Sequence, residues 1–279
     1  MKTKIIVDST VDLNPAVRER VAVVPLTVHF GEEEFVDGVT IDHKAFYEKL
    51  IECDTLPVTS QATPDAFGKE FAKLAEDEAA VVLTVASKHS GTCQSAHIAA
   101  EDYPGKVFIV DSQSVALGSG ILAERALQLA DQGLEAKAIA EQLELEREDV
   151  RLIALVDTLE YLKKGGRISK TAAVAGSLLS IKPVLSVQDG EIVMLGKARG
   201  SKQGNNLLVK EIEASGGVDF SRPVLLGYTG LSDHMLKKYI EDSDHLWKEH
   251  VQELNYTVVG SVVGTHAGPG AIAAAFFKK

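Results

Sequence analysis

Cysteine is scarce in this chain: 279 residues hold two, Cys53 and Cys93. Neither lies in a CxxC pair, so a disulfide scaffold is excluded. Long apolar runs are missing too, and no uninterrupted run approaches the length of a bilayer span, which excludes membrane insertion. The first ten residues, MKTKIIVDST, hold an apolar run of only three side chains, Ile5 to Val7, before Asp8. They do not form a signal peptide, and a soluble protein of the reducing cytoplasm is expected. Positive charge is in deficit: 29 Lys and Arg stand against 40 Asp and Glu, a net charge of −11. That weighs against nucleic acid as a partner. Nucleotide loops are absent, because Lys164-Gly165-Gly166-Arg167 has neither the dinucleotide nor the Walker spacing. His245 and His250 stand five apart with no cysteine near, so no metal site is expected. Aromatic residues make up only 6% of the chain.

What remains is 45% hydrophobic and 25% charged, the balance of a globular protein with a sizeable core. Its first half alternates β-branched runs with helical patterns. Lys4–Val7, Val21–Phe30, Ala80–Ala86 and Val107–Val110 read as strands buried on both faces, as in a parallel sheet. Asp42 caps a helix, and Thr63-Pro64 starts another. Residues 121–132 and 134–145 read as two more. The second half mixes its elements. Leu152–Val156 is a strand, and Thr158–Lys164 a short helix closed by Gly165-Gly166. Asp189-Gly190 turns a hairpin between Val184–Val187 and Ile192–Leu195. Residues 205–215 and 231–247 are helical, Val224–Tyr228 is a strand, and Tyr256–Thr265 reads as the last one. The expectation is an α/β protein of two domains. Residues 1–155 form a mostly parallel sheet with flanking helices, and residues 156–279 a mixed α/β domain with antiparallel strands. Ligands of such folds bind in interdomain clefts and at the carboxyl ends of strands.

Hydroxyl-rich segments gather at such ends: Asp8-Ser9-Thr10, Thr59-Ser60-Gln61, Ser87 to Thr92, and Asp111-Ser112. Ser90-Gly91-Thr92 precedes a helix, where unpaired N–H groups and the positive dipole end favour a carboxylate or phosphate. A plain helix cap at Ser90 explains the same residues. Thr59 also precedes a helix, and two such loops in one sheet would put two hydroxyls on one ligand group. The segment Gly264 to Gly270 carries His266 in a glycine-rich loop after a strand. Residues 161–210 hold nine basic side chains, Lys170 among them, and two acids. That +7 segment is either a solvated face or a docking surface for an anionic partner.

Together these segments resemble the DegV family over the whole chain. The resemblance rests on Ile6 to Leu13, Thr59-Ser60-Gln61, Ser90 to Ala96 and Val110-Asp111-Ser112. It continues through Leu159 to Ile168, Ile181 to Leu185, and Gly264 to Gly270. Its functionally known members bind fatty acids as partners of a separate fatty acid kinase. The resemblance implies a lipid carrier, not an enzyme, with no cofactor of its own. One long-chain fatty acid such as palmitate would lie in an interdomain apolar tunnel. The carboxylate would meet Thr59, Ser60, Ser90, Gly91 and His266. His266, Arg199 and Arg167 would serve phosphoryl transfer to the carboxylate or docking of the kinase, which brings the ATP and metal. Two departures stand out: Ala62 replaces a frequent proline, and Cys93 replaces an aromatic residue beside the head-group loop, where it would alter pocket volume. The alternatives are a serine hydrolase using Ser90 and His266 with Asp8 or Asp111, and a regulatory protein acting through the basic segment. No G-x-S-x-G elbow supports the hydrolase.

Overall fold

The computed structural model describes residues 1–168 and 181–279. Lys170 of the basic segment lies outside the described residues. Along the chain, β1 (Lys2–Asp8), β2 (Val21–Val24), β3 (Thr27–Phe30) and β4 (Glu33–Val36) lead into helix α1 (His43–Glu52). Then come β5 (Val58–Ser60), α2 (Pro64–Phe71), β6 (Glu78–Thr84), α3 (Thr92–Ala100) and β7 (Val107–Asp111). Helices α4 (Ala116–Asp131) and α5 (Ala136–Glu146) precede β8 (Val150–Leu155) and α6 (Glu160–Lys164). The hairpin β9 (Ile181–Gln188) and β10 (Glu191–Arg199) is followed by α7 (Gly200–Ala214), β11 (Leu225–Tyr228) and α8 (His234–Asp242). Last are β12 (Tyr256–Val258), α9 (Ser261–Ala267) and β13 (Ile272–Phe277).

The strands form three sheets, and the α/β expectation holds. One is parallel, in the order β2-β1-β6-β7. The second is mixed, in the order β10-β9-β8-β13-β11-β12, with only β11 and β12 parallel. The third is a small antiparallel sheet, β4-β3-β5. Both faces of the parallel sheet are buried, as its apolar strands require. Ile5 and Val7 pack with Leu117, Ile121 and Ile139 of α4 and α5. Ile6 and Val82 point the other way, onto Phe46, Phe67 and Ala96 of α1, α2 and α3. Across the mixed sheet, Ile153, Leu155 and Leu226 pack under Leu208, Ile212 and Leu236 of α7 and α8.

Helix α4 is shared between the two large sheets. Its core cluster includes Ile5 and Val81 of the parallel sheet and Leu152, Leu225 and Ala275 of the mixed one. Small residues permit this close packing. A methyl group at Gly120 would overlap the Asp12 carbonyl, and one at Gly227 would overlap Leu117.

Five segments differ from the sequence reading, one of them α7, which starts at Gly200 and not at residue 205. Val21–Phe30 is two strands in two sheets, because Pro25 lacks an N–H and interrupts the ladder. Helix α4 begins at Ala116, five residues earlier than read. The helix read over 231–247 covers only His234–Asp242, followed by a short 3-10 turn. The last strand was read at Tyr256–Thr265, yet it stops at Val258, and Ser261–Ala267 is helical. Three anchors force that change of direction. Tyr47 Oη donates to the Val259 carbonyl at 2.9 Å. The Gly260 N–H donates to Asp12 Oδ1 at 2.8 Å, and the Ser261 N–H to Asp37 Oδ1 at 3.3 Å. The true final strand, β13, is alanine-rich and sits centrally between β8 and β11. Alanine is a weak strand former, but Ala273 and Ala275 leave room for α4. Among the described residues, no helix is long and apolar enough to cross a membrane.

Asp12 is fully buried, and burial pushes its carboxyl well above the ordinary value of 3.8. A raised folded-state pKa means the folded chain holds this proton more tightly than the unfolded one. Stability therefore falls as pH rises from the ordinary carboxyl value toward the raised one. Asp12→Asn keeps an acceptor for the Gly260 N–H and removes the titration. Thermal unfolding midpoints followed upward from about pH 4 are expected to decline less steeply in this variant than in the parent. Parallel declines would refute the assignment.

Candidate functional site

Between the carboxyl ends of β1 and β6 and the inner face of the mixed sheet lies a cavity of about 670 Å³. That is within the usual range for small-molecule sites. It begins where α4 begins: Val115, Ala116 and Leu117 form one wall. Leu152, Ala154 and Val156 of β8 and its end form a second, and Leu185, Val187 and Ile192 of the hairpin a third. The hairpin turn is the one expected, with Asp189 and Gly190 both at positive φ (50° and 75°). Val259, Val262 and Val263 close the side nearest α9. These walls are mostly aliphatic, interrupted by Thr10, Ser186, Tyr228 and Thr229.

Polar side chains collect where the Thr59 and Ser90 segments meet α9. Thr59 lies on β5, paired with Val28 of β3, so it belongs to the small antiparallel sheet. The expectation that the Thr59 and Ser90 loops share one sheet is therefore corrected. Direct hydrogen bonds join them instead. Gln61 Nε2 donates to Ser95 Oγ at 3.0 Å, and the Ala62 N–H donates to Thr92 Oγ1 at 3.3 Å. A proline at position 62 would lack that N–H, so this departure adds a tie between the loops. A methyl group at Gly91 would overlap the Gln61 carboxamide, so a side chain there would displace the group that ties Gln61 to Ser95. Ser90 Oγ lies 2.8 Å from Thr92 Oγ1 and accepts the Thr92 N–H at 3.2 Å, while the helix cap itself is Gly91, so the plain-cap reading of Ser90 does not hold.

His266 is in the last turn of α9, not in a glycine-rich loop after a strand. The loop begins at Gly268, whose φ of +70° ends the helix. His266 Nε2 is 3.0 Å from Thr59 Oγ1. Its Nδ1 is buried and has no hydrogen-bond partner among the described residues. Burial, then the neighbouring Arg167 guanidinium and His89, lower the imidazole to about 4. It is neutral at pH 7. His89 is held down in the same way, by burial first and Arg167 second.

Thr59, Ser60, Ser90, Gly91, Arg167 and His266 all line this cavity. Ser60 is at its exposed edge, with Oγ 3.0 Å from His29 Nε2. Arg199 is not brought to it. It ends β10, is exposed, and gives its backbone N–H to Gln203 Oε1 at 3.1 Å. Cys93 does not line the cavity either, so its expected effect on pocket volume is not found. It is buried in α3 and meets Thr84 of β6. The residue missed by sequence reasoning is His89, which lines the cavity beside Arg167. Its signal was its place in the same strand-to-helix loop as Ser90. The aliphatic wall was also missed, because it is assembled from separate runs.

The hydrolase geometry is not assembled. The hydrogen bond of His266 goes to Thr59, and that of Ser90 to Thr92. Asp8 is committed to Thr10 and the Val85 N–H, and Asp111 to the Ser87 and Gln113 N–H groups.

Comparison with known proteins follows the same lines. The family model described as "Uncharacterised protein, DegV family" matches residues 2–279. A DegV domain-containing protein of Caldanaerobacter subterraneus is 32% identical over 260 residues, 92% of this chain and 91% of that protein. The solved structure of a DegV family protein from Thermus thermophilus, described by its fatty acid binding, is 32% identical. It superposes with a TM-score of 0.88 over 99% of this chain and 100% of its own. The Streptococcus pneumoniae Fatty Acid Kinase (Fak) B3 protein, solved with linoleic acid, shares the fold at 23% identity. Its TM-score is 0.86 over the whole of both chains (100% each).

Removing the positive neighbour with Arg167→Ala is expected to raise the titration of both His89 and His266. NMR of the imidazole nitrogens reads this directly, starting from about 4 for His266 in the parent. Unchanged titration of both rings would mean that Arg167 does not act on them.

Proposed function

Because the chain belongs to the DegV family, we propose that it binds one long-chain fatty acid such as palmitate and presents the carboxylate to a separate kinase. The observation that carries this is the pairing of a largely aliphatic cavity with the polar group formed by Thr59, Ser90, Arg167 and His266. The acyl chain would lie against Leu152, Val156 and Leu185, between the units formed by residues 1–155 and 156–279. The carboxylate would meet Thr59 and Ser90, with Ser60 and Gly91 completing the polar edge. Burying about 14 methylenes at about 0.8 kcal/mol each offers about 11 kcal/mol gross, much of it offset by the cost of association. The walls therefore supply affinity, and mostly neutral groups suffice to orient the head.

Phosphoryl transfer brings an anionic phosphoryl group against an anionic carboxylate, and that meeting of like charges needs nearby positive charge and donors. Arg167 and His266 stand at that end, and their roles follow from it. Arg199 lies outside the cavity on an exposed strand end, which favours docking over head-group contact. The Streptococcus pneumoniae protein named for fatty acid kinase shares the fold and holds linoleic acid, which supports a kinase as partner. The carrier reading is preferred to a serine hydrolase because His266 is engaged by Thr59 and not by Ser90.

Native mass spectrometry of the purified protein, with palmitate added, is expected to show one fatty acid per chain. No bound lipid before or after addition would overturn the carrier reading. Ser90→Ala and Thr59→Ala should each weaken binding roughly 3- to 10-fold, the scale of one hydrogen bond. His266→Ala should reduce kinase-dependent acyl-phosphate formation far more than it reduces binding. An equal loss in both assays would reassign His266 to binding alone.

A further inference from the structure

Asp12 is a buried joint between two helices that bound the cavity. Its N–H donates to the Ala116 carbonyl at the start of α4, at 3.3 Å. Its Oδ1 accepts the Gly260 N–H, just before α9, at 2.8 Å. Ala116 and Leu117 line the cavity from the first side, and Val262, Val263 and His266 from the second. Ala116 is held at φ +50°, a left-handed backbone that alanine disfavours. Such a conformation persists only where its surroundings impose it, and the Asp12 N–H is one of those contacts. Asp8, Asp12 and Asp37 are all buried here, and they are unequally supplied with donors. Asp8 accepts the Thr10 N–H and hydroxyl on Oδ1 and the Val85 N–H on Oδ2. Asp37 accepts the Ser261 N–H. Asp12 has the Gly260 N–H, and its Oδ2 is buried with no partner among the described residues. A methyl group at Gly260 would stand 3.2 Å from Asp12 Oδ1 and 3.7 Å from Asp37 Oδ2, so the two carboxyls flank one point of the backbone.

The groups that face Asp12 are Asp8 at the end of β1, Asp37 after β4, Arg18 of the 3-10 turn Pro15–Arg20, and Tyr47 of α1. His43 of α1 faces Asp37 and Arg18. The first turns of α4 and α9 carry no charge. Burial acts on Asp12 most strongly and favours the neutral acid. The Gly260 N–H opposes it, Asp37 reinforces it, and Arg18 and Asp8 act more weakly in opposite senses. A carboxyl with one donor, in a dry space beside two other acids, holds its proton. We propose that Asp12 is a proton-controlled latch on the cavity: neutral, it holds the starts of α4 and α9 together around a bound fatty acid, and its ionisation lets α9 open at Gly260 and frees the ligand. This rests on the fatty-acid reading and adds a control to it. The proton passes to solvent, and no bond in the ligand changes. Because the closed state holds that proton more tightly than the open one, rising pH favours opening and release. Asp12 acts through Gly260 and α9, and so is a positioning residue.

The test follows release of a fluorescent long-chain fatty acid, cis-parinarate, from the full chain on mixing with excess palmitate, between about pH 5 and 9. Release from the parent is expected to quicken at least about tenfold across this range, since one ionisation gives up to about tenfold per pH unit. Asp12→Asn keeps an acceptor for the Gly260 N–H and cannot ionise. Its release should vary less than about twofold and stay near the slow, low-pH rate of the parent. The variant retains His89, His266 and the ligand carboxyl, so the difference from the parent isolates Asp12. Asp37→Asn removes a neighbouring acid and should move the rise about one pH unit lower. Should Asp12→Asn fail to fold, carbon NMR of the aspartate carboxyls in the parent reads the same link. The Asp12 resonance should titrate at higher pH with palmitate bound than without. Release independent of pH, in a parent that binds palmitate, would overturn the latch. So would an Asp12→Asn protein that keeps the parent's pH dependence, or an Asp12 resonance that titrates alike with and without palmitate. Failure of the parent to bind palmitate at any of these pH values would overturn the fatty-acid reading itself, and the latch with it.

Discussion

Helix α4 has apolar or small residues on almost every side, and only Asp131, its last residue, is exposed. A helix of that kind cannot lie on a surface; it must be covered all round. Here the parallel sheet covers one side and the mixed sheet the other, with Leu117, Ile121 and Leu122 in a single core cluster. The two sheets are thereby held apart by one helix diameter. Beyond the first turn of α4 nothing fills that separation, and the cavity opens there. Its walls are the inner faces of the same strands that cover α4 farther along. Leu152 belongs both to the core cluster and to the cavity lining. Core and cavity are one apolar layer, continuous on either side of Val115.

The polar end follows from a second constraint. Val259, Gly260 and Ser261 are tied by Tyr47, Asp12 and Asp37, so the chain turns into α9 at a set point. That turn carries His266 to Thr59. Arg167 reaches the same end from the turn after α6, where Gly165 lets the chain pass close beneath the imidazole. Burial first, and the adjacent Arg167 guanidinium second, hold both imidazoles below their ordinary value, because further cations in a desolvated site would be costly. The result is a head-group end with limited positive charge and several neutral donors. In the proposed function, such an end would orient a carboxylate without holding it so tightly that transfer is impeded.

Much of this was legible in the residues. The double-faced burial of Ile5, Ile6 and Val7 was plain from an unbroken apolar strand, and the Asp189-Gly190 turn from its dipeptide. Asp42 and Thr63 cap their helices as their side chains suggest, each accepting an N–H three residues on. The errors arose where local preference and tertiary demand disagree. Val258, Val259, Val262 and Val263 favour extended backbone, yet three distant side chains redirect the segment into a helix. Ala273 and Ala275 favour no strand, yet they lie at the centre of a sheet because α4 leaves no room for larger residues on that face.

Composition, periodicity and turn chemistry determined by themselves the α/β class, most strand and helix positions, and the hydroxyl-bearing loops. These depend on near neighbours along the chain, and near neighbours are what a sequence displays. Only the tertiary structure decided that Thr59 and Ser90 come from different sheets yet converge, that Arg199 stands apart, and that His266 meets Thr59. Each of those is a relation between residues far apart in the chain. They are fixed by how α4 and α9 are wedged among the sheets, because packing, not propensity, sets distances across a fold.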